Sequence, residues 1–255
     1  MKKTLSAGAS RVIGAIYIAL FALFTAKIII TGDVYDYVHP RFVPFLVGGA
    51  VLSILIVIAM LAKSGDARPV RFSYLRIAFL LIPIILAFTI RPSIVDATGD
   101  ERFSKSASKA PAASGKAAAI PTDGVPPQIV DARKSASVTL DDDRYFIILQ
   151  DIYDNPSYYD GKGISLVAKI LRKKSSPPDE CAVARMLMTC CAADLQPAGF
   201  MCVCSGASSL DRSKWYLVRG TIRLSVIDGE KVPVIKADSL AETAKPATEY
   251  VYPIM

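Results

Sequence analysis

The chain has 255 residues, a formal net charge of +7 and 52% hydrophobic content, and its mean hydropathy of +0.38 is high for a protein dissolved in water. Five cysteines in that length are too few for a disulfide scaffold. One histidine, His39, leaves most imidazole-based acid–base or triad chemistry without its central group, so no catalytic residue is assigned and no enzyme activity is expected.

The apolar excess is concentrated in the first ninety or so residues. Val12–Ile30, "VIGAIYIALFALFTAKIII", is long enough to cross a hydrocarbon core of roughly 30 Å, with Lys27 able to snorkel to the interface. It is too long for a signal-peptide core, and no small-x-small cleavage site follows it. Phe45–Ala62 is a second such run and carries no charge. Ile77–Ile90 is shorter and holds Pro83; it is read as a third span. Lys2, Lys3 and Arg11 precede the first span, and Lys63, Arg68, Arg71 and Arg76 lie between the second and third. The loop between the first and second offers Arg41 beside Asp33 and Asp36. Positive-inside bias then places the N-terminus in the cytoplasm and everything after Arg91 on the other side of the membrane. Two spans instead of three would reverse that side. In a membrane protein much of the net positive charge is topology signal, so membrane lipid is an expected partner and nucleic acid is not.

His39-Pro40-Arg41 lies at the start of the second span. It reads either as an interfacial turn, with Pro breaking the helix and Arg anchoring at headgroups, or as a contact for a metal, an anion or a partner loop. Residues 1–97 are therefore assigned as a membrane anchor.

Residues 98–140 are rich in Ala, Ser, Lys, Pro and Gly and show no lasting apolar period; they are read as a disordered tether. Residues 141–255 read as a mainly β domain. "RYFIIL" is taken as an opening strand and "QDIYDNPSYYDGK" as a short helix ended at Asn155-Pro156. "GISLVAKILR", "CAVARMLMTCC", "GFMCVC", "KWYLVRGTIRL" and "KVPVIKA" are further strands, with a hairpin turn at "IDGE". This strand count suggests a small oligonucleotide/oligosaccharide-binding (OB)-like barrel or a sandwich. "GKG" at Gly161–Gly163 is not a phosphate loop, since Pro156 and Gly163 stand where that motif needs Gly and Ser or Thr. Trp215, Tyr216, Arg219 and Arg223 offer aromatics and bases on one strand, and packing of one strand face is the simpler reading.

Four cysteines fall in "MLMTCCAADLQPAGFMCVC". Strand alternation puts Cys190 and Cys191 on opposite faces, while Cys202 and Cys204 share a face roughly 7 Å apart. If the two strands pair, Cys191, Cys202 and Cys204 could meet, with Asp194 adding an oxygen. Such a set suits a thiophilic ion such as zinc. Plain core packing is the favoured reading of these cysteines, and a disulfide stands level with the metal as the alternative. Asp194 reads as a turn-forming carboxylate or a ligand. Arg185, within an apolar strand, reads as an anion or partner contact or as one half of a pair with a carboxylate such as Asp194.

"VYDYVHPRFVPFLVGGAVL", "LLIPIILAFTIRPSIVDATGDERF", "LQDIYDNPSYYDGKGISLVAKI", "ARMLMTCCAADLQPAGF", "WYLVRGTI" and "EYVYP" together resemble the YcgQ-like family of bacterial membrane proteins. The matching positions are Pro40, Arg41, Asn155, Pro156, Gly161, Lys162, Arg185, Cys190, Cys191, Ala193, Asp194, Pro197, Trp215 and Gly220. Cys181, Cys202 and Cys204 lie outside that pattern. The resemblance implies an accessory subunit of a membrane permease, with a YcgR-like permease as partner and the distal domain outside the cell membrane. An independent metal- or thiol-handling membrane protein is the competing expectation.

Overall fold

The computed structural model describes residues 7–62, 125–172, 176–227 and 230–253. The chain divides into two units, one ending at Ser93 and the other beginning at Ile94.

In the first unit, helix α1 (Ala7–Thr31) is followed by a short turn of helix, α2 (Val34–Tyr37), and by α3 (Val43–Ala62). Val12–Thr31 and Pro40–Ala62 are both long and apolar enough to cross a membrane. Against α3, α1 buries Ala15, Ala22, Thr25 and Ile28, spaced along one helical face. Small residues there let the helices approach; the Met60 side chain comes within 3.3 Å of where a Cβ on Gly14 would sit. None of the α3 residues is buried, and Phe45, Val51, Leu52, Leu55 and Ile58 are exposed on it. A helix apolar all round and with no residue buried suits lipid or another helix better than water. The expected third span, Ile77–Ile90, lies outside the described residues, as does the tether up to residue 124.

The second unit begins earlier than composition suggests. Within the expected tether, Pro127–Lys134 forms helix α4 and Ser137–Leu140 forms strand β1. Pro127 starts α4 where a missing N–H is harmless. Ile129 and Ala132 anchor its inner face. Only eight helical residues are involved, too few for a periodic signal to stand out in an Ala- and Lys-rich stretch.

"RYFIIL" is helical, not extended: it opens α5 (Tyr145–Asp154). Tyr145, Phe146, Ile148, Leu149, Asp151 and Ile152 are its buried residues. That is the i, i+3, i+4, i+7 face of a helix, and the five-residue apolar run 145–149 alone cannot be told from a strand. Each large apolar side chain buried here contributes about 1.5–3 kcal/mol.

Six further strands follow: β2 (Gly163–Leu171), β3 (Glu180–Leu187), β4 (Gln196–Val203), β5 (Trp215–Ile227), β6 (Glu230–Thr243) and β7 (Tyr250–Val251). They form one mixed sheet in the order β1-β2-β5-β6-β4-β3-β7. β4 lies parallel to β6, while β2–β5, β5–β6 and β3–β4 are antiparallel. β2 also meets β3 from Lys169↔Ala184 to Leu171↔Ala182, so the pairings run from β2 through β5, β6, β4 and β3 back to β2. On β2, Ile164, Leu166, Ala168 and Ile170 are buried at a period of two. They meet the apolar face of α5 in the main core, with Val183, Phe200, Val218, Ile222 and Ile235. β5 and β6 pair up to Ile227↔Glu230, and the Asp-Gly turn expected between them lies outside the described residues.

Candidate metal-binding thiols

The five cysteines fall into two groups at opposite ends of the β3–β4 hairpin. Cys181 pairs with Cys202 at one end, and Leu187 pairs with Gln196 at the other. Six residues of strand separate those ends, roughly 20 Å. The expected convergence of Cys191 and Asp194 with Cys202 and Cys204 is therefore corrected. Register, invisible in the sequence, sends the first pair to the turn and the second to the far end.

The turn holds Cys190, Cys191 and Asp194, whose ligand atoms all lie within 4.8 Å of one another. β3 stops at Leu187, so strict alternation no longer applies to Cys190 and Cys191. Their side chains do not diverge; the sulfurs are 3.7 Å apart. Cys190 is exposed and Cys191 half-buried. Asp194 closes the turn from a short 3₁₀ segment, Ala192–Asp194. Its carboxylate accepts the backbone N–H groups of Thr189 (2.9 Å), Cys190 (2.6 Å) and Cys191 (3.2 Å). The turn-forming role expected of Asp194 is thus what the geometry provides, and the same oxygens lie close to both sulfurs.

Hydrogen bonding to the Asp194 carboxylate, then to the Cys191 sulfur, pushes the Cys190 thiol up to about 12. A metal bound here would displace that proton. Burial alone would raise Asp194; the Cys190 thiol and the three backbone N–H donors outweigh it and hold the carboxyl below its ordinary 3.8. A carboxyl lowered on folding stabilises the fold above its unfolded value, and that contribution is lost as pH falls through the lowered one. Urea unfolding should therefore show Asp194→Asn less stable than the native chain at pH 7. The gap should narrow as pH falls below 3.8, and an equal gap at pH 7 and pH 3 would refute the carboxylate's role.

The second group is Cys181, Cys202 and Cys204, all buried, with ligand atoms likewise within 4.8 Å of one another. Cys181 was not among the expected ligands; its place opposite Cys202 is set by pairing alone.

Arg185 is 2% exposed. Its partner is Asp142 at 2.6 Å, not Asp194, whose oxygens the turn already occupies. It also donates to the Thr248 carbonyl and lies over the Tyr145 ring at 5.2 Å. It ties the start of α5 and the C-terminal segment to β3, which leaves little of it for an outside partner. In the first unit, His39 Nδ1 accepts the Arg41 N–H at 3.2 Å, capping the turn Pro40–Phe42, and the Arg41 guanidinium stacks 4.6 Å over Phe42. That geometry is the local turn expected of His39, Pro40 and Arg41.

One polar cluster had no counterpart in the sequence reading. The Asp151 carboxylate is fully buried and accepts from Arg133 (Nε at 2.8 Å, and Nη2), Asn155 (2.9 Å) and Tyr159. Lys162 donates to the Ala132 and Arg133 carbonyls at the end of α4. Gly161, at φ +82°, turns the chain so that its N–H meets Ile222 and β2 can begin. "QDIYDNPSYYDGK" is thus the clamp that holds α4 to the sheet. The available signal was an Asp on the apolar face of a helix.

The DUF1980 C-terminal domain matches residues 125–253. The chain belongs to this family. The match begins two residues before α4, which agrees with α4 being part of the DUF1980 domain rather than of a tether. No curated protein and no solved structure matches the chain. Within the DUF1980 domain, the two cysteine groups could each hold a metal ion.

Proposed function

We propose that this protein is an accessory subunit of a bacterial membrane permease, anchored in the cell membrane and carrying a binding domain outside it. The observation that carries the reading is the exposed Cys190–Cys191–Asp194 turn, on a domain that follows two helices long enough to span a membrane. The resemblance to YcgQ-like proteins supplies the permease partner. The sulfur separation of 3.7 Å is close to the edge of a tetrahedral thiolate site with metal–sulfur bonds near 2.3 Å. Two sulfurs and a carboxylate oxygen leave a fourth position open, the arrangement of a site that passes an ion on rather than storing it. Zinc is the ion such a donor set favours.

We read the sheet as an OB-like barrel. The closed pairing order, with β4 parallel to β6 and every other contact in the ring antiparallel, supports this. In that reading the Cys190–Asp194 turn joins the second and third barrel strands and reaches away from the packed interior. An independent metal-handling role is the second reading, favoured by the exposure of Cys190.

Two measurements test the proposal. The tagged chain, solubilised in mild detergent, should recover the permease encoded beside it, and Cys190→Ser with Cys191→Ser should lower zinc retained by the complex at least tenfold. Recovery no better than an untagged control would sink the accessory role and leave the independent one. For the side of the membrane, a cysteine placed at Ser108 in a Cys190→Ser, Cys191→Ser chain should react with a membrane-impermeant maleimide in intact cells. Reaction only after permeabilisation would place the domain in the cytoplasm.

A further inference from the structure

At the far end of the β3–β4 hairpin the three remaining thiols meet. Cys181 and Cys202 face each other across the strands, and Cys204 lies one residue beyond β4. Cys204 is buried in the same core cluster as Cys181 and Cys202, and its N–H is held by the Asp179 carbonyl at 2.9 Å. The Cys181 and Cys204 sulfurs are 3.8 Å apart, and the three residues are 2%, 0% and 4% exposed. Apolar packing would be served as well by Ala or Val; it does not require three sulfurs to meet.

We propose that Cys181, Cys202 and Cys204 form a second metal site, separate from the exposed turn, that takes a soft d¹⁰ ion through three cysteine sulfurs. The sulfur spacing fits: bonds near 2.3 Å put the sulfurs of a trigonal or tetrahedral thiolate site about 3.8–4.0 Å apart. The donors are all soft, which selects thiophilic ions and excludes Mg²⁺ and Ca²⁺. Among the described residues no His, Asp or Glu joins the group, so the ion must accept three-fold coordination. That favours cadmium-, mercury- or copper(I)-like ions over zinc, which takes four ligands in structural sites. A divalent ion replaces three thiol protons, which pass to solvent as three metal–sulfur bonds form, leaving one net negative charge at the site. Arg172 is the cation that acts on Cys181, and Asp179 the acid that acts on Cys204. Once bound, the ion fastens the start of β3 to the end of β4 and to the loop after it.

The site stands independently of the membrane reading and of the exposed turn. The test uses the full chain carrying Cys190→Ser and Cys191→Ser, reduced, stripped of metal and kept anaerobic. Cd(II) alone is titrated in, and the ultraviolet sulfur-to-cadmium band and released protons are followed. The expected result is one ion per chain, about three protons released per ion, and a higher melting temperature by Trp215 fluorescence. Cys204→Ala, outside the strand, should lower cadmium affinity at least tenfold and cut the band by about a third; Cys181→Ala should do the same. No cadmium bound by the doubly substituted chain, or binding unchanged by both alanine variants, would overturn the site. So would a Cys181–Cys204 disulfide in the chain as isolated, because it removes two of the three donors.

Discussion

Asp151→Ala should destabilise the C-terminal domain by about 3–5 kcal/mol, the range for removing one partner of a buried ion pair. Asp151 is completely buried and satisfies Arg133, Asn155 and Tyr159 at once. Its loss leaves the Tyr159 hydroxyl without that acceptor inside the core and Arg133 without its counter-charge. Arg133 is 22% exposed and can turn partly to water, which places the expected value toward the lower end. The damage should reach beyond the pair. Arg133 lies at the end of α4, whose carbonyls Lys162 also holds, so α4 should detach before the sheet melts. Trp215 is the chain's single tryptophan and is 8% exposed on β5, so its fluorescence reports this domain alone. Its melt should fall by on the order of 10 °C or more. Asp151→Asn keeps an acceptor and the side-chain shape and should cost less. A melt for Asp151→Ala within 2 °C of the native chain would show that the cluster does not hold α4.

Gly199→Ala should prevent the domain from folding. Gly199 pairs with Ala184 across β3 and β4. An added Cβ would sit 2.0 Å from the Val183 carbonyl oxygen and 2.6 Å from the Ala184 Cα. Both atoms are backbone, so no rotamer change relieves the overlap; the strands must part. Inserting a methyl into a packed core ordinarily costs about 1–3 kcal/mol, and a clash with the partner strand's backbone should exceed that. Parting them would also move the Gly199 carbonyl that Tyr153 binds at 2.8 Å, and with it the Tyr153–Phe200 stack between α5 and the sheet. Gly163→Ala is the control. Its Cβ would come no closer than 3.2 Å to any atom, the nearest being the Ser137 Cβ, and should cost far less. The readout is soluble, protease-resistant domain in the purified chain. Equal yield and equal melting of Gly199→Ala and Gly163→Ala would refute the close approach of β3 and β4.

How much of this was legible beforehand varied with the length and regularity of each signal. The two long apolar runs and the alternation of "GISLVAKILR" could be read directly, because helix and strand periods repeat several times within them. That β5 and β6 would pair as neighbours was legible from the turn signal between them. α4, β1 and the first half of α5 were not, although the end of α5 at Asn155-Pro156 was. Each is short, and α5 owes its helical state to the core it fills rather than to its five-residue apolar run.

The cysteines divide in the same way. The sequence by itself determined that Asp194 would stand in a turn between two strands, while it left Cys190 and Cys191 on the first strand with opposed faces. It also determined that Cys202 and Cys204 share a face. Only the tertiary structure decided the rest: β3 stops before Cys190, so Cys190 and Cys191 come together, and the register of β3 on β4 sets Cys181 against Cys202. Register depends on which whole faces of two strands are buried together. No local stretch of residues carries that information, and a shift by one position would send every side chain to the other side.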